Sequence, residues 1–202
     1  GGGIYYKDCG ENAPYTAFQQ IVISGNSANL GGGIALTSHS DISMDNVEIT
    51  NNIADKGAGM WVWAEPQLRN VNIIGNQAQH TGDWEDQEPI YSSDWGGYGG
   101  GIYIVSNYQT LFENVTISEN VAFKGGGIYF EKNQYVTPIF SSEHRSNIFS
   151  NATSDRGSGN DIYLNLIDLF TGEIEENHPI IEVIVDTFTV FIPTEYHVSP
   201  LE

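Results

Sequence analysis

Positive charge is scarce in this chain. Only 7 Lys and Arg face 26 Asp and Glu, a formal net charge of −19 over 202 residues. That deficit argues against nucleic-acid binding, because phosphate contacts need clustered Lys and Arg. It disfavours anionic membrane surfaces for the same reason. Neutral glycans, cationic partners and divalent metals remain open, although an acidic surface also serves simply to keep a protein soluble.

Cysteine is nearly absent. Cys9 stands alone, so no internal disulfide can form. A secreted protein tolerates this when a hydrogen-bonded core holds it together, so the count does not fix a compartment. No signal peptide and no apolar run long enough to span a bilayer is present. The sequence opens in mid-repeat at Gly1-Gly2-Gly3-Ile4 and ends on Leu201 and Glu202, which read as a cloning scar. The expectation is a piece of a longer chain. Also missing are a Gly-x-Ser-x-Gly elbow, a His-Glu-x-x-His zinc site, a phosphate loop and Cys–His zinc spacing. The histidines at 39, 80, 144, 178 and 197 are scattered, and the few bases form no cluster in sequence. A lyase of anionic polymers, which would need such bases, does not fit.

Glycine, by contrast, is abundant at 23 residues, among many Asn, Ser, Thr, Ile, Val and Tyr, the vocabulary of strands and tight turns. These residues recur as a repeat. Residues 115–130 read VTISENVAFKGGGIYF: a short strand, an Asn-x-Ala corner, a triple glycine and a second strand. Near copies occupy 21–36 and 47–62. Another opens at 71–78, closes at 99–104 after an interruption, and a degenerate one runs from 147 to 164. The leading glycines fall at 1, 31, 57, 99, 125 and 157, and the shortest spacing, 26, occurs twice. Such a unit holds a few short strands and cannot bury its own apolar side; stacked units can. There is no leucine pattern for a leucine-rich repeat, and the period is too short for a propeller blade.

Within each unit apolar residues alternate, as a half-buried strand requires. Val47, Ile49, Ile73, Val115 and Ile117 should point inward, as should Ile34 and Leu36, Met60 and Val62, Ile102 and Ile104, Ile128 and Phe130. The Asn at 26, 52, 76, 120 and 151 ends the first strand of each unit, where stacked amides can bond along the stack. The glycines suit a corner with positive φ. The predicted fold is all-β: a right-handed parallel β-helix of five to six coils, about 25–30 Å long at ~4.8 Å per coil. Its predicted span is 1–165, with an inserted loop at 79–98. The segment 166–200 carries two strand-like runs, 166–170 and 180–192, expected to cap the open end or add outer strands.

The Gly-Gly-Gly-Ile tetrads preceded by Asn-x-Ala resemble the repeats of chlamydial polymorphic outer membrane proteins and related pectin-lyase-like β-helix surface proteins. Those carry a Gly-Gly-Ala-Ile type tetrad and a Phe-x-x-Asn motif. Here the third tetrad residue is Gly, and the Phe slot holds Ile or Val apart from Phe149. The resemblance implies a bacterial cell-surface or secreted location and adhesion. It brings no catalytic residues with it.

The irregular unit draws the functional reading. Its insertion carries Asp83, Glu85, Asp86, Glu88 and Asp94 with no Lys or Arg, interleaved with Trp84, Tyr91, Trp95 and Tyr98. Loops on rigid scaffolds commonly hold function. Asp83, Glu85, Asp86 and Asp94 suit Ca²⁺, although not with EF-hand spacing. Carboxylates beside aromatics also suit sugars. By alternation Tyr103 and Tyr129 point outward, with Tyr5, Trp61 and Tyr163 in the matching slot and Trp63 two residues on. That predicts an exposed aromatic column, fit for glycan or a partner protein; the plainer reading is stacking that stabilises the sheet, or cover by the preceding inserted loop. The expected function is recognition or adhesion, with glycan held by Trp61, Trp63, Trp84, Trp95, Tyr98, Tyr103 and Tyr129. No cofactor is required, Ca²⁺ being the one candidate. The competing reading is a glycoside hydrolase using two loop carboxylates among Asp83, Glu85 and Asp94.

Overall fold

The computed structural model describes residues 1–7, 16–79, 97–105, 109–131, 138–154, 159–165 and 183–187. Among them there is no helix, and the strands fall into successive layers, one per repeat. The first layer holds β1 (Ile4–Lys7), β2 (Thr16–Ser24) and β3 (Ser27–Leu30). The second holds β4 (Ile34–Thr50) and β5 (Ile53–Lys56), the third β6 (Met60–Ile74) and β7 (Gln77–Ala78). In the fourth lie β8 (Ile102–Ile104), β9 (Leu111–Glu113), β10 (Thr116–Ser118) and β11 (Val121–Ala122). The fifth has β12 (Ile128–Phe130), β13 (Ile139–Phe140), β14 (Ser146–Phe149) and β15 (Ala152–Thr153), and the sixth β16 (Ile162–Leu164) and β17 (Val185–Thr187).

Every named pairing between layers is parallel. A 12-stranded sheet and a 5-stranded sheet, ordered β15-β11-β7-β5-β3, result. The register repeats the sequence pattern: Ile34 pairs with Met60, Met60 with Ile102, Ile102 with Ile128 and Ile128 with Ile162. Val47, Ile49, Ile73, Val115, Ile117 and all the tetrad-strand residues predicted inward are buried. Phe112 and Phe140 continue the column of Met44 and Leu68, with rings stacked at 4.7 Å. Long-range pairing of β-branched and aromatic residues, rather than local propensity, holds these short strands.

The corners explain the motif. Nδ2 of Asn26, Asn52, Asn76 and Asn120 each donates to Oδ1 of the ladder Asn in the next layer, at 2.9–3.0 Å. Each backbone N–H of the same residues donates to the same oxygen. Nδ2 of Asn52, Asn76, Asn120 and Asn151 also donates to the carbonyl of Ile23, Ile49, Ile73 and Ile117. Asn52, Asn76 and Asn120 are thus fully buried and fully bonded, the condition for placing amides inside. The residue before each is left-handed: Gly25, Asn51, Gly75, Glu119 and Ser150. Alanines at 54, 78 and 122, with Ala58, form a small cluster of their own.

Only the leading glycine of each tetrad needs positive φ; Gly57 has +62°. The third is glycine for space. A Cβ on Gly59 would lie 2.5 Å from the Gly101 carbonyl oxygen and 2.8 Å from Ile73 Cγ2. In the last unit the leading glycine is Gly159 rather than the expected Gly157. Gly159 carries φ +65°, and Asn160 and Asp161 take the places of the second and third glycines, their carbonyls accepting from Gly127 and Ile128. From the C-terminal segment, Val185–Thr187 adds a parallel strand to β14, and Val183, Ile184 and Val185 pack on the core. The rest of the proposed cap lies outside the described residues.

Candidate functional site

The aromatic column forms where alternation places it, on the outward side of the sheet containing β6, β8, β12 and β16. Trp61, Tyr103, Tyr129 and Tyr163 are in register. Tyr103 stacks on Tyr129 at 4.9 Å with ring planes 3° apart, and Tyr129 on Tyr163 at 5.1 Å. The expectation of an exposed column is corrected, however. Tyr103 is 2% and Tyr129 6% exposed.

Residues immediately before the leading glycines pack against the column. Lys56, Tyr98 and Lys124 are bridged in register. The Tyr98 ring lies 5.1 Å from that of Tyr129. Lys56 Nζ sits 5.3 Å from the Tyr103 ring centre and Lys124 Nζ 5.5 Å from that of Tyr163. Among the described residues neither ammonium has an acidic partner within ion-pair distance. Their attraction to the ring faces takes that role. The two lysines were not legible as a pair by scanning for basic clusters. The signal that finds them is the repeat slot, since both immediately precede a leading glycine.

Burial pushes both phenols well above the ordinary tyrosine value. For Tyr103 the Glu131 carboxylate and the Tyr129 phenol add to the effect, and for Tyr129 the Tyr163 and Tyr98 phenols and Glu131 do so. Both phenols therefore stack as neutral rings near neutral pH.

Tyr5, in the same slot at the first layer, stays open at 60% exposure, and so does Trp63. It is 46% exposed and braced edge-to-face by half-buried Trp61 at 6.3 Å. Of the aromatic residues singled out from sequence, the structure therefore joins Tyr98, Tyr103 and Tyr129 in a covered stack. Trp61 and Trp63 are left as an accessible pair. Trp84 and Trp95 lie outside the described residues, as do Asp83, Glu85, Asp86 and Asp94, the Ca²⁺ and acid–base candidates. Among the described residues no three His, Cys, Asp or Glu side chains gather as a metal site would require.

A different face carries an open groove of about 570 Å³, lined by Gln19, Asp45, Arg69, Glu113, Asn114 and His144 among others. Its polar groups are largely engaged with one another. Arg69 Nε donates to Glu113 Oε2, Asn70 Nδ2 to Asp45 Oδ1 at 2.7 Å, and Asn114 Nδ2 to Asn70 Oδ1 at 2.7 Å. The last two bonds tie Asp45, Asn70 and Asn114 into a row running from layer to layer. No protein-family model, curated protein or solved structure matches the chain.

Proposed function

We propose that the chain is a right-handed parallel β-helix acting as an extracellular or cell-surface recognition module, with glycan as its ligand. The layer-by-layer parallel register supports the helical winding, and the handedness follows from the rule for parallel crossovers. The observation that carries the ligand class is the Trp61–Trp63 pair: an exposed indole, held by a second, on the outer face of a rigid sheet. A flat ring on a fixed strand offers a sugar ring a stacking platform with little left to order on binding.

Pull-down on a panel of insoluble neutral polysaccharides tests the reading. Retention on at least one, lost about 10-fold or more in Trp63→Ala with an unchanged melting temperature, is the expected result. No retention on any member, or retention indifferent to Trp63, sinks it. Release of reducing ends during the same incubation would favour a hydrolase instead.

A further inference from the structure

The open groove crosses the middle of the stack, and every residue that lines it is among those described. Gln19, Asp45, Arg69 and Glu113 stand in register through four successive layers. The groove therefore runs along the stack, at ~4.8 Å per layer. Its central strands, carrying Asp45, Arg69 and Glu113, are each paired on both sides, so its form does not depend on either end. Beside this row Ala17 and Ser43 pair, and such small side chains leave the space open. Asn70 and Asn114, both left-handed, carry the lining round the corner.

The lining selects an occupant by exclusion. It holds no apolar side chain larger than that of Ala17, which removes a hydrophobic ligand. An anion would meet two carboxylates, and the one guanidinium, Arg69, already bonds Glu113. A basic ligand would have to displace Arg69 from Glu113 or rely on Asp45 alone. An extended peptide finds no unpaired edge on the central strands. Hydroxyl groups fit, because each one both donates and accepts. Each carboxylate has a second oxygen, Asp45 Oδ2 and Glu113 Oε1, outside the bonds described above, and the Gln19 amide offers both roles. The bonds from Asn70 to Asp45, Asn114 to Asn70 and Arg69 to Glu113 already hold the row in place. Little is left to order on binding.

We propose that this groove binds a neutral glycan chain laid parallel to the stack, as a site of its own. Arg69 follows Trp63 on β6 by three further outward positions, roughly 20 Å at ~3.3 Å per residue. The groove and the indole therefore do not share a sugar ring. The inference has the ligand class of the proposed function but none of its residues, and either can fail alone.

The test titrates soluble oligosaccharides of cellulose, xylan and mannan into the full chain, a Trp63→Ala variant and a Trp63→Ala, Asp45→Ala double variant, by calorimetry. Melting temperatures check that each is folded. At least one oligosaccharide should bind the Trp63→Ala chain and bind the double variant about 10-fold or more weakly, as for a lost bond to a charged group. A second readout needs no groove variant: in the nitrogen-labelled parent, the side-chain amide signals of Asn70 and Asn114 should shift during the same titration. Binding that disappears with Trp63 alone would leave the proposed function standing and overturn the groove. Binding indifferent to Asp45, with both amide signals unmoved, would overturn it as well, and so would a Trp63→Ala chain that binds no member of the panel.

Discussion

Asn151 donates through Nδ2 to Oδ1 of Asp161 at 2.8 Å, so a ladder of stacked amides ends on a carboxylate. Every earlier rung is Asn on Asn. The last acceptor comes instead from the tetrad position that the other layers fill with glycine.

That arrangement sets a pH dependence. Burial raises Asp161 above the ordinary carboxylate range, against the two bonds from Asn151 that lower it. With the folded value above the unfolded one, the folded chain holds the proton more tightly. The associated stability is full below the unfolded value and is lost as pH rises through the folded one. Asp161→Asn keeps the acceptor and removes the titration. It should melt above the parent at pH 7, with the gap closing as pH falls into the ordinary carboxylate range. A variant that melts lower at pH 7 would show that the charge favours the ladder.

Gly59 and Glu119 should respond in opposite directions. A methyl on Gly59 meets backbone and an Ile side chain closer than real contacts allow, so Gly59→Ala should cost about 2–3 kcal/mol by overpacking. Glu119 holds φ +58° without the freedom of glycine, and its counterparts at 25 and 75 are glycines. Glu119→Gly should therefore stabilise by about 0.5–1 kcal/mol, the strain relieved outweighing the added chain entropy. Urea unfolding of the two variants against the parent checks both signs.

Much of this architecture was readable because the repeat states it many times over. Ile34, Met60, Ile102 and Ile128 follow the same glycines, so their shared column needs no tertiary information. The same holds for the Asn rungs. Two things could not be read. Gly157 and Gly159 both fit a degraded tetrad, and only the register of Ile128 on Ile162 chooses between them. Alternation also reports the side a residue faces but not what lies across it. Tyr103 and Tyr129 face outward, yet Lys56 lies over the Tyr103 ring and Tyr98 against the Tyr129 ring, both from just before a leading glycine. Of the site, the exposed Trp63 was legible, cover of the column by the insertion was one of the readings open, and the two lysines beside it were not legible.

The covered tyrosines predict behaviour at alkaline pH. Tyr103 and Tyr129 are both raised by burial, so unfolded phenols ionise first, near pH ~10. Stability is full below that value and falls as pH climbs toward the folded-state values. In a rapid spectrophotometric pH jump these two phenols should ionise only as the chain unfolds. Tyr129→Phe keeps the ring stack on Tyr103 and Tyr163, and should reduce both the slow amplitude and the alkaline loss of stability. An unchanged slow amplitude would mean that Tyr129 is open to hydroxide.

The amide ladder should be most sensitive in its middle. Asn76→Ala strips the acceptor from both the backbone N–H and Nδ2 of Asn52, and takes a donor from Asn120 Oδ1 and from the Ile49 carbonyl. These groups are buried, and each orphaned one costs about 1–3 kcal/mol, so a loss of about 3–5 kcal/mol is expected after partial relaxation. Asn26→Ala removes side-chain donors only. Asn52 Oδ1 still accepts the backbone N–H of residue 26, and the Ser24 carbonyl lies at an exposed edge. Its cost should be about 1 kcal/mol or less. Equal losses at the two positions, measured by urea unfolding, would mean that the ladder acts as one cooperative unit rather than as bonds satisfied layer by layer.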